Sequence, residues 1–213
     1  MSVDFAPVVP TYWWPAAADL ARRDAILAPI IAAYPGEALE PHGDIFRTLA
    51  RAVVGQQISV LAAERIWHRL LGEVGDISPT NVIAVSAARL RACGLTRRKA
   101  DSLVAAAHAA LTEDQDWSSW LGLDDEELAA RLTRLSGVGP WTAHMVLIFA
   151  AGRPDILPTG DIGLRRVAGD LYGETGGVMD VAALTTVAET WRPWRSVAVW
   201  YLWRSLDPVP VAY

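Results

Sequence analysis

The sequence predicts an all-α fold, on three observations. Ser, Thr and Asp recur just ahead of segments whose apolar residues repeat every three or four positions. Glycine and proline fall mostly between those segments, where helices start and stop. Alternating β-branched runs, the signature of a half-buried strand, are nearly absent.

The elements follow in order. Residues 1–43 are the least patterned; Asp24 is positioned to cap a helix to Tyr34, with Pro29 expected to distort it. Asp44 caps a helix through Val54, which Gly55-Gln56-Gln57-Ile58 breaks, and Ser59 caps the next to about Leu71. Ser78-Pro79 opens a short helix, since proline at the first helical position loses no hydrogen bond. Ser86 begins another that ends at Gly94. Thr96 caps a long helix to about Leu111, with Ala100, Leu103, Val104, Ala107 and Leu111 as its apolar stripe. Asp124 and Glu127 form a capping-box pattern ahead of Leu128, Leu132 and Leu135. After a glycine-rich turn, a helix runs from Trp141 to about Ala151. Asp161 opens one to Tyr172, Asp180 caps one to Trp191, and the last spans about Pro193 to Ser205.

Composition narrows the function. A chain of 213 residues that is 52% hydrophobic suffices for one large domain or two small ones sharing a core. No stretch has the roughly 18 uninterrupted apolar residues of a membrane span. Met1 to Pro10 carries Asp4 and lacks a basic n-region, so a soluble cytoplasmic protein is expected. The lone Cys93 allows neither an intrachain disulfide nor an iron–sulfur cluster, and reads as a small core residue. His42, His68, His108 and His144 show no ligand spacing. The net charge of −5 argues against nucleic acid globally without excluding a local basic face. Lys99 is the only lysine. Ten tryptophans exceed ordinary need, and a site that stacks on flat rings would use some.

The most informative segment is Leu135-Ser136-Gly137-Val138-Gly139-Pro140-Trp141-Thr142-Ala143. Two glycines two apart permit a tight turn with positive φ, and leave no Cβ between the backbone and a close neighbour. The N–H groups of the turn and of the following helix then converge on an anion site that fits a DNA phosphate. A tightly packed interhelical turn is the plainer alternative. Arg97-Arg98-Lys99 fills the first turn of a helix, the unfavourable sign for its dipole. Phosphate contact and a solvated face are both open there. Asp161, taken alone, is a helix N-cap.

The L-x-G-V-G-x-x-T-A pattern resembles the helix-hairpin-helix of DNA base-excision glycosylases. Val54-Gly55-Gln56-Gln57-Ile58-Ser59 with Ala62-Ala63 is similar to the lesion-probing loop of the alkylpurine branch. Pro158-Thr159-Gly160-Asp161-Ile162-Gly163-Leu164-Arg165-Arg166 resembles its catalytic-aspartate segment, and Trp191-Arg192-Pro193-Trp194-Arg195-Ser196 its W-x-P-W-R-S signature. Four motifs in order over residues 54–196 identify the chain as a member of the 3-methyladenine DNA glycosylase II family. Larger bacterial members carry an extra N-terminal mixed domain, for which 213 residues leave no room.

The resemblance implies a helix-hairpin-helix glycosylase fold. Residues 46–153 would form a central bundle ending in the hairpin, and residues 1–45 with 154–213 a second helical subdomain, with the active-site cleft between them. It implies a monofunctional glycosylase that flips and hydrolytically excises alkylated bases of the 3-methyladenine and 7-methylguanine type. Asp161 would be catalytic: a carboxylate at a helix N-terminus suits the helix dipole, and its charge can stabilise an oxocarbenium-like sugar or orient the attacking water. Trp141 and Trp194 would line the base pocket, with core packing as the alternative for each. Met145 and Ile162 stand where aromatic-rich relatives carry tyrosine. Gln57 would wedge into the duplex and Gln56 face the opposite strand; loop amides that cap nearby backbone are the alternative. Gly137, Val138, Gly139 and Thr142 would grip the DNA backbone. Relatives that cut the strand have a lysine where this chain has Trp141, so no lyase activity is expected. No cofactor is expected to be required. The carbonyls of Thr133, Leu135 and Val138 are candidates for one monovalent cation, sodium or potassium. The expected partner is double-stranded DNA with alkylated bases, bound by a monomer at the nucleoid. The rivals are a non-catalytic hairpin module that only grips DNA, and a glycosylase for another lesion class.

Overall fold

A computed structural model describes residues 8–112 and 116–206. Of Met1–Pro10, read in the sequence as no secretory signal, residues 1–7 lie outside them. Every regular element among the described residues is helical. In chain order these are α1 (Trp13–Arg23), α2 (Leu27–Ala33), α3 (Ile45–Gly55), α4 (Val60–Val74), α5 (Pro79–Ala84), α6 (Ala87–Ala92) and α7 (Arg97–Thr112). A 3₁₀ segment, Trp117–Gly122, precedes α8 (Asp125–Thr133), α9 (Pro140–Phe149), α10 (Ile162–Tyr172), α11 (Val181–Glu189) and α12 (Arg195–Leu206). The fold is all-α, as the sequence predicts. No helix among the described residues is long and apolar enough to cross a membrane.

The expected caps form. Asp44, Ser59, Ser78, Ser86, Asp124, Asp161 and Asp180 each accept the backbone N–H three residues on, satisfying a donor that the helix itself cannot. Two elements went unread in the sequence and one expectation is corrected. Helix α1 has no side-chain cap, which left it unread in the sequence. The Trp117–Gly122 segment was also unread: its start is capped by Asp116, but it is too short to show a helical period. Pro29 distorts nothing, because α2 begins at Leu27 and places proline in the first turn, where its missing N–H has no partner to lose.

The described residues form two compact units. One runs to His42 and resumes at Gly152; the other is Gly43–Ala151. In the first, α12 is the central helix and packs on α1, α2 and α10. Val197, Ala198, Val199 and Leu202 on it are fully buried, and Trp13 of α1 meets Trp200 edge-on at 5.3 Å between centroids. Asp24 ties this unit together. One of its oxygens accepts the N–H groups of Ile26 and Leu27, and the other accepts the Tyr172 hydroxyl at 2.8 Å and the Trp191 indole at 3.0 Å.

In the second unit α3 is central and packs on α4, α7 and α9. Leu49, Ala50, Ala52, Val53 and Val54 are fully buried. Truncating such a leucine to alanine costs about 2–5 kcal/mol, so this core alone sets much of the unit's stability. Cys93 is buried, in the structural role expected of it.

Candidate functional site

The hairpin lies in the Gly43–Ala151 unit, between α8 and α9. Its two glycines serve different ends. Gly137 has φ +78°, and a Cβ there would collide with the Ser102 hydroxyl of α7, so the fold itself requires glycine. Gly139 has φ −99° and open space where a Cβ would stand. Nothing inside the protein requires glycine at that position. Gly139 is also the N-cap of α9, ahead of Pro140, so the N–H groups that open the helix sit beside this bare backbone. Val138 is 6% exposed and donates its N–H to Leu135 O at 3.1 Å. Thr142 is 1% exposed and its hydroxyl is turned inward to Gln56, which leaves its backbone N–H as the group it can offer to DNA.

The Gln56-Gln57 turn is in the same unit. Gln57 is exposed and has φ +57°, the sole non-glycine with positive φ among the described residues. Gln56 has its amide nitrogen on neighbouring groups of the protein, the alternative the sequence left open. Its amide nitrogen donates to Gly137 O at 3.1 Å and to Thr142 Oγ1 at 2.9 Å, tying the turn to the hairpin. Lys99 Nζ donates to Val54 O at 2.8 Å and to Gln56 O at 2.7 Å. The basic first turn of α7 therefore carries the wrong sign for its own helix and the right sign for the C-terminal end of α3. Burial pushes the Lys99 ammonium below its ordinary value.

Asp161 belongs to the other unit. Its Oδ1 accepts the Leu164 N–H at 2.6 Å and the Trp203 indole N–H at 3.2 Å. Gly163 keeps the carboxylate uncrowded, since a Cβ there would approach Oδ1 to 3.2 Å. The W-x-P-W-R-S segment explains how Asp161 is delivered. Arg195 holds both carboxylate oxygens of Asp155, at 2.7 and 3.0 Å, and Arg192 adds a third contact at 2.9 Å. Ser196 exchanges bonds with the neighbouring backbone, donating N–H to Pro154 O and accepting from Ile156 N. The 154–156 strand of chain is thereby pinned to α12, and the turn after it, closed by Asp161 N to Pro158 O at 2.9 Å, sets Asp161 at the start of α10.

Trp194 is half-buried, donates its indole N–H to Asp19 at 3.2 Å and stacks on Tyr12, with centroids 6.0 Å apart and planes 13° from parallel. Tyr12 in turn donates to Gly152 O at 2.6 Å. Ile162, beside Asp161, is 54% exposed. Asp161, Ile162 and Trp194 thus share one unit, while Trp141, Met145, Gln56 and Gln57 belong to the other. Trp141 is half-buried. Met145 is 1% exposed, which moves it from the expected pocket surface to packed interior.

Sequence reasoning missed Tyr12, Lys99 in its anchoring role, Ser102, Asp155 and Trp203. Their partners lie far off along the chain, and no local pattern signals such pairs. Among the described residues no three His, Cys, Asp or Glu side chains converge as a metal-holding group. Thr133 is the last residue of α8, so its carbonyl lies beyond the helix ladder, and Leu135 O spends one lone pair on Val138 N.

The model of the HhH-GPD superfamily of base excision DNA repair proteins matches residues 50–193. DNA-3-methyladenine glycosylase 1 of Schizosaccharomyces pombe is 31% identical over 169 residues, covering 75% of this chain and 72% of that protein. The solved structure of S. pombe 3-methyladenine DNA glycosylase in complex with abasic DNA superposes with a TM-score of 0.81 at 26% identity, covering 93% of this chain and all of that one. A DNA-3-methyladenine glycosidase structure from Bacillus halodurans gives 0.71 at 30% identity over 90% and 88% of the two chains. With the hairpin, the capped aspartate and the anchored tryptophan segment all within or adjoining the matched residues, the chain belongs to the HhH-GPD superfamily of base excision DNA repair proteins.

Proposed function

We propose that the chain is a monofunctional DNA glycosylase that flips alkylated bases out of duplex DNA, hydrolyses the N-glycosidic bond and leaves an abasic site. The observation that carries this reading is the Asp161 carboxylate, held on Oδ1 by Leu164 N–H and Trp203 Nε1. A carboxylate fixed in this way keeps its place while positive charge builds on the sugar, so no reorganisation is needed at the moment of reaction. Water is the nucleophile. Trp194 and the exposed Ile162, which share a unit with Asp161, receive the base on that side, and Trp141 is the base-stacking candidate of the other unit. Gly139 and the first N–H groups of α9 hold a backbone phosphate, with Gly137 and Val138 shaping the turn.

Two observations support hydrolysis over lysine attack. The resemblance puts Trp141 where strand-cutting relatives carry lysine, and the only lysine, Lys99, has its ammonium on two backbone carbonyls. The preferred substrates are purines methylated on a ring nitrogen, whose positive charge makes them good leaving groups without an acid. The reading extends to a monomer acting at the nucleoid in the cytoplasm. The hairpin carbonyls of Thr133, Leu135 and Val138 would hold a sodium or potassium ion, whose charge would steady the turn against a bound phosphate.

The test is base release from a panel of lesion-bearing duplexes, run with and without borohydride. Release of methylpurines with no trapped protein–DNA adduct is expected. Binding without release would make this a hairpin module that only grips DNA. A trapped adduct, or strand cleavage without added base, would contradict the monofunctional reading.

A further inference from the structure

Helix α3 ends at Gly55, and its last carbonyls have no partner in the helix ladder. Lys99 reaches back from the next packed helix to take Val54 O and Gln56 O. A half-buried ammonium is favoured when it is paired, and two carbonyls of one turn serve as its acceptors. Gln56, between those carbonyls and the hairpin, forks its amide nitrogen onto Gly137 O and Thr142 Oγ1. Ser102, one helical turn beyond Lys99 on α7, fills the space beside Gly137. One face of α7 therefore supports both the turn and the hairpin. Gln57, the next residue, sits at φ +57°, a strained conformation for a residue with a Cβ, which persists when its surroundings hold it.

We propose that Lys99 is a positioning residue for base flipping: its ammonium locks the Val54–Gln57 turn to α7 and, through Gln56, to the hairpin, so that Gln57 enters the duplex as a rigid wedge in register with the gripped phosphate. This rests on the reading of Gln57 as the wedge. It assigns the lysine of the Arg97-Arg98-Lys99 run an inward role, in place of contact with DNA. Flipping costs unstacking energy that a wedge must repay, so a loosened wedge penalises a stacked lesion and spares one already unstacked.

The experiment measures single-turnover excision of N7-methylguanine placed in a fully paired duplex and in a bulge. Lys99→Met, Lys99→Arg, Gln56→Met and Gln57→Ala are compared with wild type, with thermal melting of each variant. Lys99→Met is expected to slow the paired substrate by about tenfold to a hundredfold, as a misplaced positioning element does. The bulged substrate should slow by less than about threefold, because its base is already out of the stack. Lys99→Arg should restore most of the paired rate, since a guanidinium can also donate to both carbonyls. Gln56→Met cuts the other half of the tie and should give the same paired-to-bulged split; it carries the test if Lys99→Met does not fold. The salt dependence of duplex binding should be unchanged in Lys99→Met. A salt slope lower by about one would mean that Lys99 contacts phosphate, and would overturn the proposal. An unchanged paired rate, or equal losses on both substrates, would also overturn it. If Gln57→Ala leaves the paired rate intact while Lys99→Met lowers it, the wedge reading of Gln57 fails and the anchoring role of Lys99 stands.

Discussion

Trp203 lies 42 residues beyond Asp161 and donates its indole N–H to Asp161 Oδ1 at 3.2 Å, the same oxygen that caps α10 at Leu164. The carboxylate is thus fixed from its own helix and from α12. Trp203→Phe keeps the ring and deletes the donor. Hydrogen bonds to charged groups are worth about 1.5–3 kcal/mol, so the single-turnover excision rate should fall about tenfold or more. Duplex affinity should be unchanged, because Trp203 is not among the residues assigned to the phosphate. Rate measurement alongside equilibrium binding checks this; an unaltered rate would show that the helix cap alone positions Asp161.

The two hairpin glycines should separate in their effects. Gly137→Ala places a Cβ at φ +78° and against Ser102, so it should destabilise the fold by more than about 1 kcal/mol. Gly139→Ala meets nothing inside the protein and should change stability by less than about 0.5 kcal/mol. It should nevertheless weaken binding to damaged and undamaged duplex alike, because a backbone grip carries no base information. Urea unfolding and duplex binding of both variants decide. Loss of affinity for one lesion alone would mean that the turn reads the base.

Much of this architecture is legible in the sequence. Capping residues such as Asp44, Ser59 and Asp161 announce helices because their partners sit three residues away. The hairpin glycines stand out by their spacing, two apart between helical segments. What stayed hidden joins distant positions. Lys99 to Val54, Gln56 to Gly137 and Trp203 to Asp161 each depend on how helices pack, which no short-range period encodes. The W-x-P-W-R-S segment shows the limit most clearly. Its Trp194 is recognisable as a stacking residue, whereas the work of Arg195 and Ser196 in pinning residues 154–156 appears only once the fold is known.

On the proposed function, the Tyr12–Trp194 stack predicts selection by charge. A cationic purine lying on electron-rich rings gains about 1–2 kcal/mol when water is excluded, and a neutral base does not. Wild type should therefore release N7-methylguanine or 3-methyladenine faster than hypoxanthine, after correction for intrinsic lability. Trp194→Ala should erode that preference more than it weakens binding to undamaged DNA. Equal corrected rates on both lesion types would remove stacking on charge as the basis of selection.

Alkaline pH should destabilise the protein. Burial pushes the Tyr12 and Tyr172 hydroxyls above their ordinary value, and the Asp24 carboxylate pushes Tyr172 further in the same direction. The unfolded tyrosines lose their protons near pH 10, roughly, while the native ones keep them. The native state then binds more protons than the unfolded state, so stability is fully present below that pH and falls as pH rises through it. Tyr172→Phe should flatten this decline, at a loss of about 1–3 kcal/mol near neutrality from the missing bond to Asp24. Urea unfolding across the alkaline range checks it; a flat wild-type profile would contradict it.

The charge on Asp161 is the centre of the proposed chemistry, and one substitution isolates it. Asp161→Asn keeps the shape and an oxygen able to accept from Leu164 N–H, and removes the charge. Single-turnover release of N7-methylguanine from duplex should drop by at least about a thousandfold, on the scale of a lost group that stabilises the transition state electrostatically, while duplex affinity persists. Release at the wild-type rate by Asp161→Asn would contradict a carboxylate-driven glycosylase.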